Sequence, residues 1–173
     1  MKRNEIKSYA EYEKSIGVDN STPEGEYITT VVKAVVERED DGRPKMNVQL
    51  KVKDGPRAGM FLFPRLEWFI DPEGEMSDEL QKTVTGIIRG STNRFLEAIF
   101  ERKLEAAPET VEVVGADDDY DEVARVMETW VGPIDGQTVL VKVTYKKDEA
   151  GERVNDFPRF SFKRVKAEAV FSR

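Results

Sequence analysis

Residues Lys45 to Lys53 alternate without a fault. Met46, Val48, Leu50 and Val52 are apolar, and Lys45, Asn47, Gln49, Lys51 and Lys53 between them are polar. A period of two sends one set to each face of a strand, so this is a half-buried strand with a basic, amide-bearing outer face. Ahead of it, Tyr27 to Glu37 (YITTVVKAVVE) is dense in Val, Ile and Thr, whose branched side chains suit a pleated surface. Asp40-Asp41-Gly42-Arg43-Pro44 separates the two as a turn, and Asp54-Gly55-Pro56 makes the next. Gly59 to Leu66 (GMFLFPRL) reads as a third strand. The three predict an antiparallel meander.

The period then changes. Leu80, Val84, Ile87, Ile88, Phe95, Leu96, Ile99 and Phe100 recur at helical spacing. Ser77 is placed to cap this helix, and Asp78 and Glu79 lie in its first turn, where the helix dipole favours acids. Gly86 and Gly90 weaken the helix and predict a break near Gly90-Ser91, and Ala107-Pro108 ends it. A shorter helix is expected from Tyr120 to Trp130, with Val123, Val126, Met127 and Trp130 on one side. Alternation returns at Thr138 to Tyr145 (TVLVKVTY). Lys146 to Phe157 reads as a long hairpin around Ala150-Gly151, and Pro158 to Val165 as a closing strand. The first 22 residues carry a weak helical pattern (Tyr9, Tyr12, Ile16) and read as an arm ahead of one domain spanning 23–173.

Five strands with helices between the third and the fourth is the element order of the OB-fold, a small Greek-key barrel. The expected class is therefore mainly β with a helical insertion. The face of such a barrel on strands two and three, with its flanking loops, binds oligonucleotides.

Composition narrows the function. The chain has neither Cys nor His. Disulfides, thiolate nucleophiles, zinc–Cys sites and His-based catalysis are excluded, and no spacing supports an enzyme working through carboxylates alone. No cofactor is expected. No apolar run is long enough to span a membrane, and Met1-Lys2-Arg3-Asn4-Glu5 is not followed by an apolar stretch, so a cytoplasmic protein is expected. Charge is segregated. From Asp71 to Asp135 there are 17 acidic and 6 basic residues, a net of −11, whereas the rest has 17 and 21, a net of +4. The acidity thus belongs to the helical insertion, and the β flanks are mildly basic. Within the insertion Asp117, Asp119, Asp121 and Glu128 have the spacing of a calcium loop. However, Glu122 stands where such a loop needs Gly, and Arg125 at the ninth position also departs. An acid-rich helix start explains the same residues, and no metal site is expected.

A single-stranded nucleic acid needs cations to track its phosphates and exposed rings to stack on its bases. The second strand offers Lys45, Asn47, Gln49 and Lys51. On the third, Phe61, Phe63 and Arg65 face outward if Met60, Leu62 and Leu66 face inward; one residue of slip would reverse the assignment. The hairpin and closing strand add Lys146, Arg153, Phe157 and Arg159, with Lys142 on the fourth strand between them. The expectation is a sequence-independent site for single-stranded DNA. A barrel of this kind acting as a protein-interaction adaptor is the alternative.

Several short segments carry a resemblance. They are Pro23-Glu24-Gly25-Glu26-Tyr27, the Val-rich strand ending in Lys33-Ala34, Asp54-Gly55-Pro56 with Gly59, and Arg65-Leu66. Gly136-Gln137-Thr138-Val139, followed by a charged hairpin with Asn155, fits the same pattern. From Pro23 to Val165 the chain thereby resembles a phage-encoded family of single-stranded DNA-binding proteins. The resemblance implies an OB-type domain that binds DNA in phage replication or recombination, in a bacterial cytoplasm, alongside phage replication or recombination proteins. It leaves a homo-oligomer open. Many replicative single-strand binders end in an acidic tail that recruits partners; this chain ends Val170-Phe171-Ser172-Arg173 and departs from that pattern.

Overall fold

The computed structural model describes residues 22–71, 76–100, 117–144, 146–147, 149–151, 153–154 and 159–165. Strands β1 (Gly25–Arg38), β2 (Pro44–Val52), β3 (Phe61–Leu62) and β4 (Arg65–Glu67) come first. Helices α1 (Asp78–Phe100) and α2 (Asp117–Trp130) follow, then β5 (Thr138–Val143), β6 (Lys146–Lys147), β7 (Arg153–Val154) and β8 (Phe160–Lys163). The main sheet runs β3-β2-β1-β5-β8, with β4 also on β2, and every neighbouring pair is antiparallel. Strands β6 and β7 form a separate two-stranded ribbon, which is the predicted hairpin around Gly151. The predicted arm lies outside the described residues, as does the predicted helix end at Ala107-Pro108.

The single predicted third strand is present as two pieces, and Pro64 is the reason. Val48 donates its N–H to the Pro64 carbonyl at 3.0 Å, but Pro64 has no N–H to return. The ladder on β2 therefore breaks between Leu62 and Arg65. Taken as one strand, β3 and β4 give five strands in the order third, second, first, fourth, fifth. Closing that sheet into a barrel would require the third strand to pair with the fifth, and among the described residues it does not.

Strand β1 serves two neighbours. Gly25 to Thr30 pairs with β5, and Thr29 to Arg38 pairs with β2. The register on β2 slips between Val31 and Lys33, so Val32 is the extra residue of a β-bulge. Before the bulge Tyr27, Thr29 and Val31 are buried; after it the next buried residue is Ala34, three positions on.

One face of the sheet is the core. Met46, Val48, Leu50 and Val52 of β2 are buried with Leu62, Leu66, Val139, Val141, Val143 and Phe162. Helix α1 covers them from the side of β4, β5 and β8, and the Phe95 ring meets Phe162 edge-on at 5.1 Å. Helix α2 covers β2 and β1 through Tyr120, Val123 and Met127, with Tyr120 edge-on to Phe69 at 4.7 Å. The helix tips meet where Phe100 packs on Trp130, centroids 5.1 Å apart. No described helix is long and apolar enough to cross a membrane.

The N-cap reading of Ser77 holds: its Oγ accepts the Leu80 N–H at 3.2 Å. The predicted break near Gly90 does not occur, and α1 is continuous from Asp78 to Phe100. Two interior glycines cost a helix roughly 2 kcal/mol together. Against this stand Val84, Ile88, Phe95, Leu96 and Ile99, all buried, at roughly 1.5–3 kcal/mol for each large side chain. Packing outweighs propensity.

Gly86 is exposed, and a Cβ built on it meets nothing within 4 Å. Gly86→Ala should therefore stabilise the protein by about 0.5–1 kcal/mol, the ordinary Gly-to-Ala difference in a helix. A thermal melt should show a rise of roughly 1–4 °C for a chain of this size. A lower melting temperature would mean that the helix is not formed there.

Candidate nucleic-acid interface

The face of the sheet turned away from the helices is built in cross-strand rows. Lys51 pairs with Thr30 on β1 and with Phe61 on β3. Gln49 pairs with Lys33, at the level of Phe63. Asn47 pairs with Val35 and with Arg65, and Lys45 with Glu37 and Glu67. Antiparallel pairing puts directly opposed side chains on the same face. Three strands thus bring Lys33, Gln49, Lys51, Phe61, Phe63 and Arg65 together.

The orientation of the two phenylalanines is the informative point. Phe61 is 43 % exposed and Phe63 66 %, while Leu62 between them is buried. Their rings lie 6.3 Å apart, tilted by 33°. The Lys51 ammonium sits 6.0 Å from the Phe61 centroid, at the limit of a cation–π contact. Exposed Phe adds little to the fold, so two such rings side by side beside cations are the feature that makes this face the candidate site.

The rows differ electrostatically. At one end Lys45 donates to Glu39 at 2.6 Å and Asn47 donates to Glu37 at 2.7 Å. Glu67, opposite Lys45, adds a third acid. This end holds itself together and has little charge left for a ligand. At the other end Lys33 and Lys51 make no ion pair among the described residues, and the rings are open. The positive, aromatic part of the face is therefore its Lys33–Lys51–Phe61–Phe63 half.

The remaining expected site residues divide. Lys142 is exposed on β5, opposite Glu26 and Ser161, on the same face but across β1 from the rings. Lys146 and Arg153 lie on the β6–β7 ribbon. Phe157 lies outside the described residues. Arg159 must be corrected: it is not on the outward face but 6 % exposed, at the bend that leads into β8. Its guanidinium lies 4.7 Å from the Phe160 ring, and its carbonyl accepts the Thr144 N–H at 3.0 Å.

Lys33 and Val35 were not expected on this face. Strict alternation from Tyr27 would turn Lys33 inward, and the bulge at Val32 turns it out. The signal was a Lys falling on the buried phase of an apolar strand, which only an inserted residue can relieve. Lys163, exposed and opposite Leu140, is a further cation on the outer side of β8. Of the acids spaced like a calcium loop, Asp117, Asp119 and Asp121 open helix α2 and Glu128 lies in its last turn; Asp121 pairs with Arg38 at 2.8 Å. Among the described residues no cluster of three acids could hold a metal ion.

The hydrogen bond from Lys45 holds the Glu39 carboxyl below its usual value; burial opposes this, and the charges of Lys45, Arg43 and Arg65 assist it. Nearby, burial would depress Arg43, but the hydrogen bond to Asp41 and the charges of Asp41, Asp71 and Glu39 raise it. A depressed carboxyl contributes stability above its unfolded value and loses it as pH falls through the folded one. Wild type should therefore be more stable than Glu39→Gln at pH 7, by at most about 1 kcal/mol for a half-buried pair at the surface. The difference in melting temperature should close as the pH drops below the ordinary carboxylate range. A difference constant from pH 7 to pH 3 would show that the ion pair is not its source.

No protein-family model matches the chain, and no curated protein matches it. The functional reading rests on the geometry of this face.

Proposed function

We propose that the outward face of β1, β2 and the third strand binds single-stranded DNA without sequence preference, in an OB-type barrel left open at the edge of its third strand. The observation that carries this is the exposure of Phe61 and Phe63 beside Lys33 and Lys51, which make no ion pair among the described residues. Bases of a single strand stack on the two rings, and every base has a face to offer, so the site is indifferent to sequence. Lys33, Lys51 and Arg65 meet the phosphates, and the Gln49 amide lies between rings and cations. Duplex DNA fits poorly, because its bases are already stacked on each other and present no free face to Phe61 or Phe63. No bond is made or broken. The resemblance to phage single-strand binders supports a role in phage replication or recombination, inside the host cell.

A labelled oligo-dT and the matching duplex, titrated at two salt concentrations, test the reading. The single strand should bind more tightly, with a log–log salt slope of about −0.7 for each phosphate contacted. Phe63→Ala should weaken oligo-dT binding by about 5- to 150-fold, equivalent to the roughly 1–3 kcal/mol of one stacked base, and leave the salt slope unchanged. Lys51→Ala should weaken binding and flatten the slope by about 0.7. Both variants should melt like wild type, since both side chains are exposed. Equal binding of single strand and duplex, or full affinity in both variants, would overturn the proposal. A folded protein indifferent to oligo-dT at low salt would leave the face to a protein partner.

A further inference from the structure

The third strand is an edge of the sheet, and its two ends differ. Its even-numbered residues bond to β2: Val52 donates to the Met60 carbonyl at 2.8 Å and Val48 to that of Pro64 at 3.0 Å. In an antiparallel ladder the odd-numbered residues then turn their N–H and C=O away from β2. At the β4 end helix α1 meets them: Thr92 donates its hydroxyl to the Glu67 carbonyl at 2.7 Å. Among the described residues nothing comparable meets the β3 end. The backbone of Phe63 takes no hydrogen bond from the described residues, and that of Phe61 points the same way. A short run of unpaired donors and acceptors thus lies beside the two most exposed rings among the described residues. Natural edges are blunted by charge, Pro or a covering element. Here Pro64 points its missing donor toward β2 and does not blunt the outer side.

We propose that a second copy of this chain pairs with this edge, antiparallel, with Phe61 of each copy opposite Phe63 of the other. The two-fold axis then passes through Leu62. The pairing is self-complementary, as an isologous contact must be. Each Phe61 exchanges both backbone hydrogen bonds with the opposing Phe63, which makes four in all and uses only groups that have no partner among the described residues. The four rings meet on one face as two cross-strand aromatic pairs. The next position sets Arg65 opposite Gly59, which has no side chain to obstruct it. Moving the axis to Phe63 would instead drive the partner's Gly59 against Glu67, where Thr92 of α1 already lies. The cover supplied by α1 disfavours that register, and an axis at Phe61 would set Phe63 against Gly59, whose N–H is already donated to the Val52 carbonyl at 2.8 Å. The outward faces of the two copies become one surface, running from Lys51 and Phe61 of one copy to Phe63, Gln49 and Lys33 of the other. The contact is small beside a stable dimer interface, so the dimer is weak and concentration-dependent. It follows from the strand edge alone and does not depend on the face binding DNA.

Sedimentation equilibrium without DNA should show the mass rising from 19.7 kDa toward twice that value as concentration increases. Phe63→Lys should remain monomeric, because it places two like charges in the contact. Lys33→Ala, on the same face but away from the edge, should dimerise like wild type. The register has its own readout, since the chain has no cysteine. Paired positions across such a ladder lie about 5.5 Å apart, within disulfide reach. Under mild oxidation an equimolar mixture of Phe61→Cys and Phe63→Cys chains should form a disulfide-linked dimer, and neither variant alone should. A monomeric wild type at all concentrations would overturn the proposal, as would a dimer that survives Phe63→Lys unchanged. Cross-linking of Phe63→Cys to itself would also overturn it.

Discussion

Strand β2 is hydrogen-bonded on both sides, and its uninterrupted alternation sorts the molecule into two halves. Its apolar positions are buried without exception, and their contacts reach the third strand and the helices above. Its polar positions define the rows of the opposite face, since each is held directly across from a residue of β1 and most from one of the third strand. A slip of one residue would bury lysines and expose four large apolar side chains at once, so the register is strongly determined. The position of Phe61 and Phe63 is inherited from this constraint. Leu62 opposite Leu50 must go in, and its neighbours must therefore go out.

The same frame explains how charge is distributed. The helices lie on the inner side of the sheet, and their acids are carried away from the outer face. Of the acids that reach that face, Glu37 and Glu39 are occupied with Asn47 and Lys45 at the end remote from the rings, where Glu67 also lies, and Glu26 stands opposite Lys142 across β1. The surface is thus graded, self-neutralised at one margin and cationic at the other. Net charge over the whole chain would hide this gradient.

Much of the architecture could be read from the residues because its elements satisfy local rules. The alternation of β2, the Ser77 cap and the β5 pattern depend on near neighbours, and the strands and helix starts follow them. The failures have a common cause in contacts distant along the chain. Gly90 breaks no helix because the face of α1 is buried against the sheet. The third strand is split by a hydrogen bond that Pro64 cannot return to Val48. Arg159 reads as an outward residue in the sequence, but the bend before β8 puts it inside, where the aromatic ring of Phe160 is part of its surroundings. The strand order and the unpaired edge are likewise properties of pairing, which a linear pattern does not specify.

The bulge at Val32 has a consequence for how this surface can change through descent. Inward and outward positions on the second half of β1 are fixed by a count of residues and not by which residues they are. Substitutions there can strengthen or weaken the face but cannot replace what it presents. Pairing Val32 regularly with Gln49 would do so: Lys33 and Val35 would be carried into the interior and Ala34 to the outside, whereas loss of Val32 itself would leave Lys33 opposite Gln49 and facing out. The basic margin is therefore robust to point mutation and to loss of the bulged residue itself, and the phase of the pairing on either side of Val32 is the quantity that selection would have to hold fixed.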